Sequence, residues 1–249
     1  MAHKFLTIAL MFAGILAATS VACSQMFPSG TWRYRMTVAV ETPEGLKTGS
    51  AVREVTVRRG IALTPESLPS VQSKGEAVAV DLGQRGVLFA LISYDDYLTV
   101  FSAFGWTSGG TTPDGIKYFS NLKDAKATLT PKQYPMLVTF KDISDPKTVE
   151  RVIETDWCRE KDENGTCIKE EFFVKADHFE ELFGRGVKLK EITIEMVNDP
   201  VTWGIQNKLP WLSQYYGQMF DGQRFNTINS TLPLANSLSA GAFSTRRDE

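Results

Sequence analysis

The segment TWRYRMTVAVE, Thr31–Glu41, decides the fold class of this chain. Its large apolar residues fall at every second position: Trp32, Tyr34, Met36, Val38 and Val40. This spacing is typical of a β-strand that buries one of its faces. The turn TPEG follows, and Ser50–Arg59 returns as a second strand. We therefore predict an antiparallel hairpin whose loop is longer than two residues.

Three later segments also have strand character. Glu76–Ser93 predicts a second hairpin that turns at GQR. Its return strand, Val87–Ile92, is apolar on both faces, which predicts a central strand covered on two sides. Met136–Phe140 predicts a further strand. Gly186–Val197 alternates with one slip near Glu191, and the slip predicts a β-bulge.

Helical segments are few and short. Asp95–Trp106 favours a short helix, with a strand as the alternative. ADHFEELFG, within Glu170–Gly184, has helical character, and Leu209–Phe220 predicts a short amphipathic helix after Pro210. Strands do not alternate with helices as they do in a parallel sheet. We therefore predict a mainly β or α+β fold, in which antiparallel hairpins form a sheet or sandwich with two or three short helices.

The first 22 residues have the three parts of a secretory signal peptide. Lys4 gives a basic start, Phe5–Ala18 carries no charge, and small residues follow. This apolar run of about 14 residues is shorter than the ~20 that a membrane-spanning helix needs. A buried N-terminal helix is the alternative, but the segment has no polar face for water. We predict a signal peptide at residues 1–22 and a tether at residues 23–30.

Cys23 lies where two cleavage signals overlap. The residues SVA before it suit an ordinary signal peptidase, which prefers small residues before the cut. TSVAC also resembles a bacterial lipobox, in which the cysteine thiol is acylated and the chain is cut just before it. Ser20 stands where such signals usually have Leu. We predict lipidation, with fatty acyl chains such as palmitate, at Cys23.

The cysteine count bears on the same residue. The chain has three cysteines, Cys23, Cys158 and Cys167, so one disulfide leaves one thiol. Cys158 and Cys167 border a charged segment with an Asn-Gly turn signal, and we predict a disulfide between them in an oxidising compartment. Lipidation of Cys23 then removes the remaining thiol. Two unpaired cysteines near a surface loop are the alternative.

The composition is that of an ordinary globular protein, with 43% hydrophobic and 22% charged residues. The net charge is −2, and no basic run exceeds Val57–Arg59, which argues against a nucleic-acid partner. No second apolar stretch is long enough to span a membrane. We predict one globular domain at residues 31–249, with a loosely packed tail from about residue 225, because the tail is small and polar.

Groups for catalysis are sparse. Once the signal peptide is removed, His178 is the only histidine, and no GxSxG motif accompanies it. The paired carboxylates of SYDDY, Ser93–Tyr97, lack a third metal ligand at a recognisable spacing. We assign no catalytic residue, no metal site and no cofactor. Because acidic residues are plentiful, a carboxylate-dependent hydrolase stays as the alternative.

A group of aromatic residues lies near the C-terminus. Its members are Trp203, Trp211, Tyr215 and Tyr216. Amphipathic rings at this density favour protein interfaces, and they also suit packing across the end of a sheet. We favour core packing for these residues, and a protein interface is the alternative.

Three stretches resemble an uncharacterised family of proteobacterial proteins, many of which carry lipoprotein-like signals. They are Tyr34–Val55, Gly75–Gly83 and Gly186–Leu212. The family has no established function, so the resemblance implies a Gram-negative envelope protein and no activity.

Together with Cys23, the resemblance leads us to expect a non-enzymatic cell-envelope lipoprotein that acts as a binding or scaffolding domain. Ser24 rather than Asp follows Cys23, which by analogy with bacterial sorting rules favours the periplasmic face of the outer membrane. The soluble periplasm is the alternative. The expected partners are the membrane, through the lipid anchor, and an envelope protein. A periplasmic or secreted hydrolase is the alternative function.

Overall fold

A computed structural model describes residues 28–60, 69–106, 109–158 and 171–246. The strands within these ranges are β1 (Ser29–Thr42), β2 (Gly45–Arg58), β3 (Ser70–Lys74), β4 (Val78–Asp81), β5 (Val87–Ala90), β6 (Lys126–Thr128), β7 (Leu137–Phe140), β8 (Val149–Arg151), β9 (Ile153–Cys158), β10 (Glu171–Asp177) and β11 (Lys188–Val197). The helices are α1 (Asp96–Ala103), α2 (Pro113–Asn121), α3 (Phe179–Phe183) and α4 (Pro233–Ser237).

The described strands form three antiparallel sheets, which confirms the mainly β prediction. A five-stranded sheet has the order β3-β2-β1-β11-β6, and a four-stranded sheet has the order β4-β5-β7-β8. Strands β9 and β10 form a separate two-stranded ribbon.

The hairpin of β1 and β2 pairs without a break from Ser29↔Arg58 to Thr42↔Gly45. Its loop is therefore only Pro43-Glu44, and the prediction of a longer loop was wrong. Residues 45–50 lie at an exposed end of the hairpin, so their sequence shows no alternation of apolar and polar residues. They nevertheless pair with β1 at every position. The turn is tied to its surroundings by Arg85, which donates to both carboxylate oxygens of Glu44, at 3.1 and 2.8 Å. These hydrogen bonds lower the pKa of Glu44 to about 2.

The first core lies between the two larger sheets. The alternating residues of β1 are buried there, as the sequence pattern predicts, and they pack with Val78 and Val80 of β4 and Leu88 of β5. Strands β2 and β4 approach closely at Gly49, where a Cβ atom would lie only 2.7 Å from the carbonyl carbon of Ala79. Only glycine fits at this crossing.

The second core lies on the other face of the four-stranded sheet. Strand β5 serves both cores, because Leu88 and Ala90 join the first while Phe89 joins the second. The prediction of a doubly covered central strand is thereby confirmed. Residues 205–243 close the second core, and Phe220 and Phe243 are completely buried in it.

The prediction of a loosely packed tail from about residue 225 was wrong for residues 235–244, whereas residues 225–233 are mostly exposed. Ala235, Leu238, Ala240 and Phe243 are all buried in the second core. They are separated by polar and small residues without a regular period, so their burial leaves no pattern that sequence reasoning can detect.

Two smaller predictions had different outcomes. The pairing of β1 with β11 shifts where Glu191 and Leu189 face Ala39 and Val40, which confirms the bulge near Glu191. The amphipathic helix predicted within Leu209–Phe220 is instead one 3₁₀ turn at Leu212–Tyr215. Pro210 and Gly217 leave too few residues between them to stabilise an α-helix.

Candidate functional site

The candidate site is a cavity of about 750 Å³ at the outer edge of the five-stranded sheet. We call it the edge cavity. Its walls are β3, residues 92–94 after β5, and parts of the C-terminal segment at residues 237–245. Strand β3 ends the sheet, with β2 on one side only. The edge cavity therefore lies where the pairing of described strands ends.

The C-terminal wall is held in place by strand-like pairing. Ala77 N–H donates to the carbonyl of Phe243 at 2.7 Å, and Thr245 N–H donates to the carbonyl of Gly75 at 3.0 Å. Ile92 N–H donates to the carbonyl of Ala242 at 2.8 Å. The same segment is also held by the ring of Phe243, which is buried in the second core. This wall is consequently part of the folded domain.

Most polar groups on the lining are hydroxyls. They belong to Ser73, Ser93, Ser237, Ser239, Thr245 and Tyr94. The hydroxyl oxygen of Ser73 is shielded from solvent and has no hydrogen-bond partner among the described residues. Tyr94 stands at the rim with 96% of its surface exposed. Lys74 supplies the positive charge of the described lining, and its ammonium lies 3.7 Å from Glu54.

A buried ion pair lies directly behind the edge cavity. Arg53 is 1% exposed, and its Nη1 donates to both carboxylate oxygens of Asp96 at 3.0 Å. Its Nε donates to the carbonyl of Glu76 and its Nη2 to that of Ala90, both at 3.0 Å. The Tyr34 hydroxyl also donates to Asp96. Arg53 thus fixes the backbone next to two walls of the edge cavity.

Burial shifts the proton affinities of this network. The pKa of the Tyr34 hydroxyl is raised well above its usual value, first by burial and then by the charge of Asp96. Tyr34 is therefore a permanent hydrogen-bond donor over the ordinary pH range. A buried ion pair of this kind has its charges compensated and its hydrogen bonds filled, so we assign it a positioning role.

Glu76 links the network to the C-terminal layer. Its carboxylate accepts a hydrogen bond from Ile205 N–H at 2.8 Å, and the residue is 6% exposed. Burial raises the pKa of Glu76, although the backbone N–H groups of Ile205 and Gly204 and the charge of Arg53 oppose the rise.

Sequence reasoning missed both the edge cavity and the ion pair. Arg53 stands on the core face of β2, between the buried residues Ala51 and Val55. A charged residue at a core position was the available signal, since it requires a buried partner. Its partner, Asp96, is 43 residues away in the sequence and belongs to the acidic pair of SYDDY.

Of the four aromatics for which core packing was favoured over an interface, three pack against the second core. The ring of Trp211 lies 5.2 Å from Phe220 and 5.5 Å from Phe140, and its indole N–H donates to the carbonyl of Ile143. Tyr215 packs against Phe220, and the Tyr216 hydroxyl donates to the carbonyl of Arg246.

Trp203 is the most exposed of the four, at 37%, and its ring centroid lies 5.9 Å from the guanidinium of Arg246. The aromatics therefore form no single exposed face in the described structure.

Other predicted residues are partly outside the description. Cys23 and Cys167 lie outside the described residues, as does the side chain of Cys158, so lipidation and the disulfide stay predictions. His178 precedes α3, and its Nδ1 lies 2.8 Å from a carboxylate oxygen of Glu181. The described residues contain no cluster of three or more potential metal ligands.

No protein-family model, no curated protein and no solved structure matches this chain. None of the described helices combines the length and the apolar character that crossing a bilayer requires.

Proposed function

We propose that this chain is a non-enzymatic lipoprotein of the bacterial cell envelope, and that its domain binds a partner in the edge cavity. The edge cavity is the observation that carries the proposal. It brings together a strand edge, several hydroxyl groups and the exposed ring of Tyr94 in one concave place. A concave surface with a few convergent polar groups is the usual form of a binding site.

The compartment is proposed from the sequence. Residues 1–22 have the parts of a signal peptide, and Cys23 follows in a lipobox-like setting. Acylation of Cys23 anchors the domain to the membrane, at the periplasmic face of the outer membrane, because Ser24 follows. Cleavage without acylation releases it into the periplasm. An envelope protein is the proposed partner, in line with the resemblance to proteobacterial envelope proteins.

A carboxylate-dependent hydrolase is less well supported by the same site. Such an enzyme needs two carboxyl groups that converge on the substrate. The described lining of the edge cavity includes no Asp or Glu. The nearby buried acids, Asp96 and Glu76, are engaged by Arg53 and by the backbone of Ile205. We therefore propose binding rather than hydrolysis.

Site-specific photocrosslinking tests the binding role. The photoreactive residue benzoylphenylalanine replaces Tyr94 at the rim of the edge cavity, and in a control variant it replaces Leu46 at the exposed hairpin end. After irradiation of living cells, we expect a covalent adduct at position 94 and none at position 46. Equal labelling at both positions, or no adduct at either, contradicts a binding role for the edge cavity.

Intact-mass analysis of the mature protein tests the anchor. We expect a chain that begins at Cys23 and carries the added mass of a diacylglyceryl group and further acyl chains. The Cys23→Ala variant should lack that mass and leave the membrane fraction. A mature chain with a free Cys23 thiol contradicts lipidation. The same spectra, recorded with and without reductant and alkylation, show whether Cys158 and Cys167 are joined.

A further inference from the structure

We propose that the outer edge of β3 binds an extended polypeptide segment of a partner protein, which joins the five-stranded sheet as an additional strand. This inference rests on the proposed binding function and deepens it, because it names the class of ligand that the edge cavity takes.

The hydrogen bonds of Val52 show in which direction the backbone groups of β2 point. Val52 N–H donates to the Thr202 hydroxyl at 2.9 Å, and Thr202 N–H donates to the Val52 carbonyl at 3.1 Å. Val52 lies opposite Arg35 of β1 in the register, but its N–H and C=O groups are both hydrogen-bonded to Thr202. These groups therefore point away from β1, towards the side on which β3 lies.

The register between β2 and β3 fixes which backbone groups of β3 point outward. Backbone groups alternate along a strand, so Glu54, Thr56 and Arg58 of β2 point the same way as Val52. Their register partners in β3 are Lys74, Gln72 and Ser70. These three residues accordingly face β2, and the two residues between them face outward. The N–H and C=O groups of Val71 and Ser73 therefore point away from the sheet.

The chain itself already forms strand pairing along the continuation of this edge. The next outward residue, Gly75, exchanges hydrogen bonds with Thr245, and Ala77 donates to Phe243. Glu76 and Ser244 form an antiparallel bridge between them. The C-terminal segment is thus an added strand on the continuation of the β3 edge.

Within the described residues, this added strand stops at Arg246, before it reaches the outward groups of Val71 and Ser73. At Arg246 the segment contacts other groups: its carbonyl accepts from the Tyr216 hydroxyl, and its guanidinium lies beside the Trp203 ring. Within the described ranges, no residue pairs with the outward groups of Val71 and Ser73. The edge cavity begins at this unpaired stretch.

The chemistry of the unpaired stretch matches a peptide. Donors and acceptors alternate at strand spacing along β3, which is the pattern that an extended backbone complements. A five-residue strand spans roughly 17 Å, enough for a short segment to pair. Tyr94 offers an exposed ring to a side chain of the same segment.

The protection of the edge is incomplete. Soluble proteins guard free edges with charged residues and prolines. In β3 the charge is confined to Lys74 at the end of the strand, and the middle residues Val71, Gln72 and Ser73 are uncharged. The outward residues, Val71 and Ser73, are half-buried beside the edge cavity rather than fully exposed.

Peptide selection tests the proposal. A phage-displayed library of random dodecapeptides is panned against the purified full-length protein in detergent, and the affinities of selected peptides are measured by fluorescence anisotropy. In Ser73→Pro the outward N–H is lost while the pairing with β2 is kept. We expect this variant to bind roughly tenfold more weakly or worse, because the peptide loses a backbone hydrogen bond. Lys126→Ala, in β6 at the opposite edge of the same sheet, removes an exposed side chain away from the edge cavity and should bind normally.

Amide hydrogen exchange on the unmodified protein gives a second readout, which does not depend on how Ser73→Pro folds. Bound peptide should slow exchange at the amides of Val71 and Ser73. The proposal is overturned if no peptide is selected or if Ser73→Pro binds as well as the parent. It is also overturned if bound peptide slows exchange only at amides outside β3. If crosslinking at position 94 still captures a non-peptide ligand, the binding function stands and only strand addition fails.

Discussion

The two cores of this protein bury different kinds of groups. The first core contains the charged pair Arg53 and Asp96 among the apolar residues of regular strands. The second core is built from apolar rings such as Phe220 and Phe243, held by an irregular segment. The first core therefore depends on charge compensation, whereas the second depends on the volume of its side chains.

The largest effect should come from breaking the ion pair. Asp96→Ala leaves Arg53 buried without a counter-charge, and we expect a loss of about 3–5 kcal/mol in the free energy of unfolding, measured by urea denaturation. Asp95→Ala changes the exposed neighbouring carboxylate and should cost little. The double variant Arg53→Met/Asp96→Ala should recover part of the loss. If Asp96→Ala and Asp95→Ala had the same free energy of unfolding, the need for a counter-charge beside Arg53 would be refuted.

The second core should respond to lost volume. Phe243→Ala removes a completely buried ring, and we expect a loss of about 3 kcal/mol. Hydrogen exchange should accelerate in residues 205–245 while the amides of β1 stay protected. Phe225→Ala, at a ring that is 65% exposed, is the control and should change stability little. Uniform loss of protection would show that the two cores unfold as one unit.

The contact between the sheets should respond to an added methyl group. Gly49→Ala places a Cβ atom against the backbone of Ala79, so the strands must separate. We expect a cost of about 1–3 kcal/mol from overpacking, measured as a fall in Tm. Gly60→Ala is the control, because a Cβ atom there meets no atom of the described residues within 4 Å. If Tm fell equally in Gly49→Ala and Gly60→Ala, the loss would not be due to the close approach of β2 and β4.

Glu76, which links the ion pair of the first core to the C-terminal layer, should make the stability of the protein depend on pH. The pKa of Glu76 is raised in the folded state, so its contribution to stability is present below about 4.5, its value when exposed, and is lost as the pH rises through the folded value. We expect Glu76→Gln to abolish this part of the pH dependence, with an effect below about 1 kcal/mol at neutral pH.

The carboxylate of Glu44 should show the opposite sign. Its pKa is lowered to about 2, so its contribution is present above about 4.5 and is lost as the pH falls towards 2. Urea denaturation of Glu76→Gln and Glu44→Gln from pH 3 to pH 8 compares the two. Parallel pH profiles of both variants would contradict these assignments.

Regular periodicity explains which parts of the fold were predictable. The alternation of β1, the doubly apolar β5 and the slip near Glu191 each reflect a local backbone rule, and each was predicted. The second core follows no such rule: Ile205, Leu209, Phe220 and Phe243 lie at irregular spacings and meet only through tertiary packing.

The candidate site was unpredictable for the same reason. The edge cavity joins β3, residues 92–94 and the C-terminal segment, which are far apart in the sequence. Arg53 alone signalled something unusual, yet no local pattern connects it to Asp96. The four aromatics were recognised as notable, and three of them take part in the packing that supports the C-terminal wall.

The position of β1 in its sheet also has a kinetic consequence. One side of β1 pairs with β2, its neighbour in sequence, while the other pairs with β11, so that Arg33 faces Val197. The central strand therefore stays half-paired until residues 188–197 arrive, after most of the chain has been synthesised. Pairing over such distances makes folding slow, typically in the range of milliseconds to seconds, because a long loop must close first. The chain consequently passes through a state in which the central strand of its largest sheet still has an open edge.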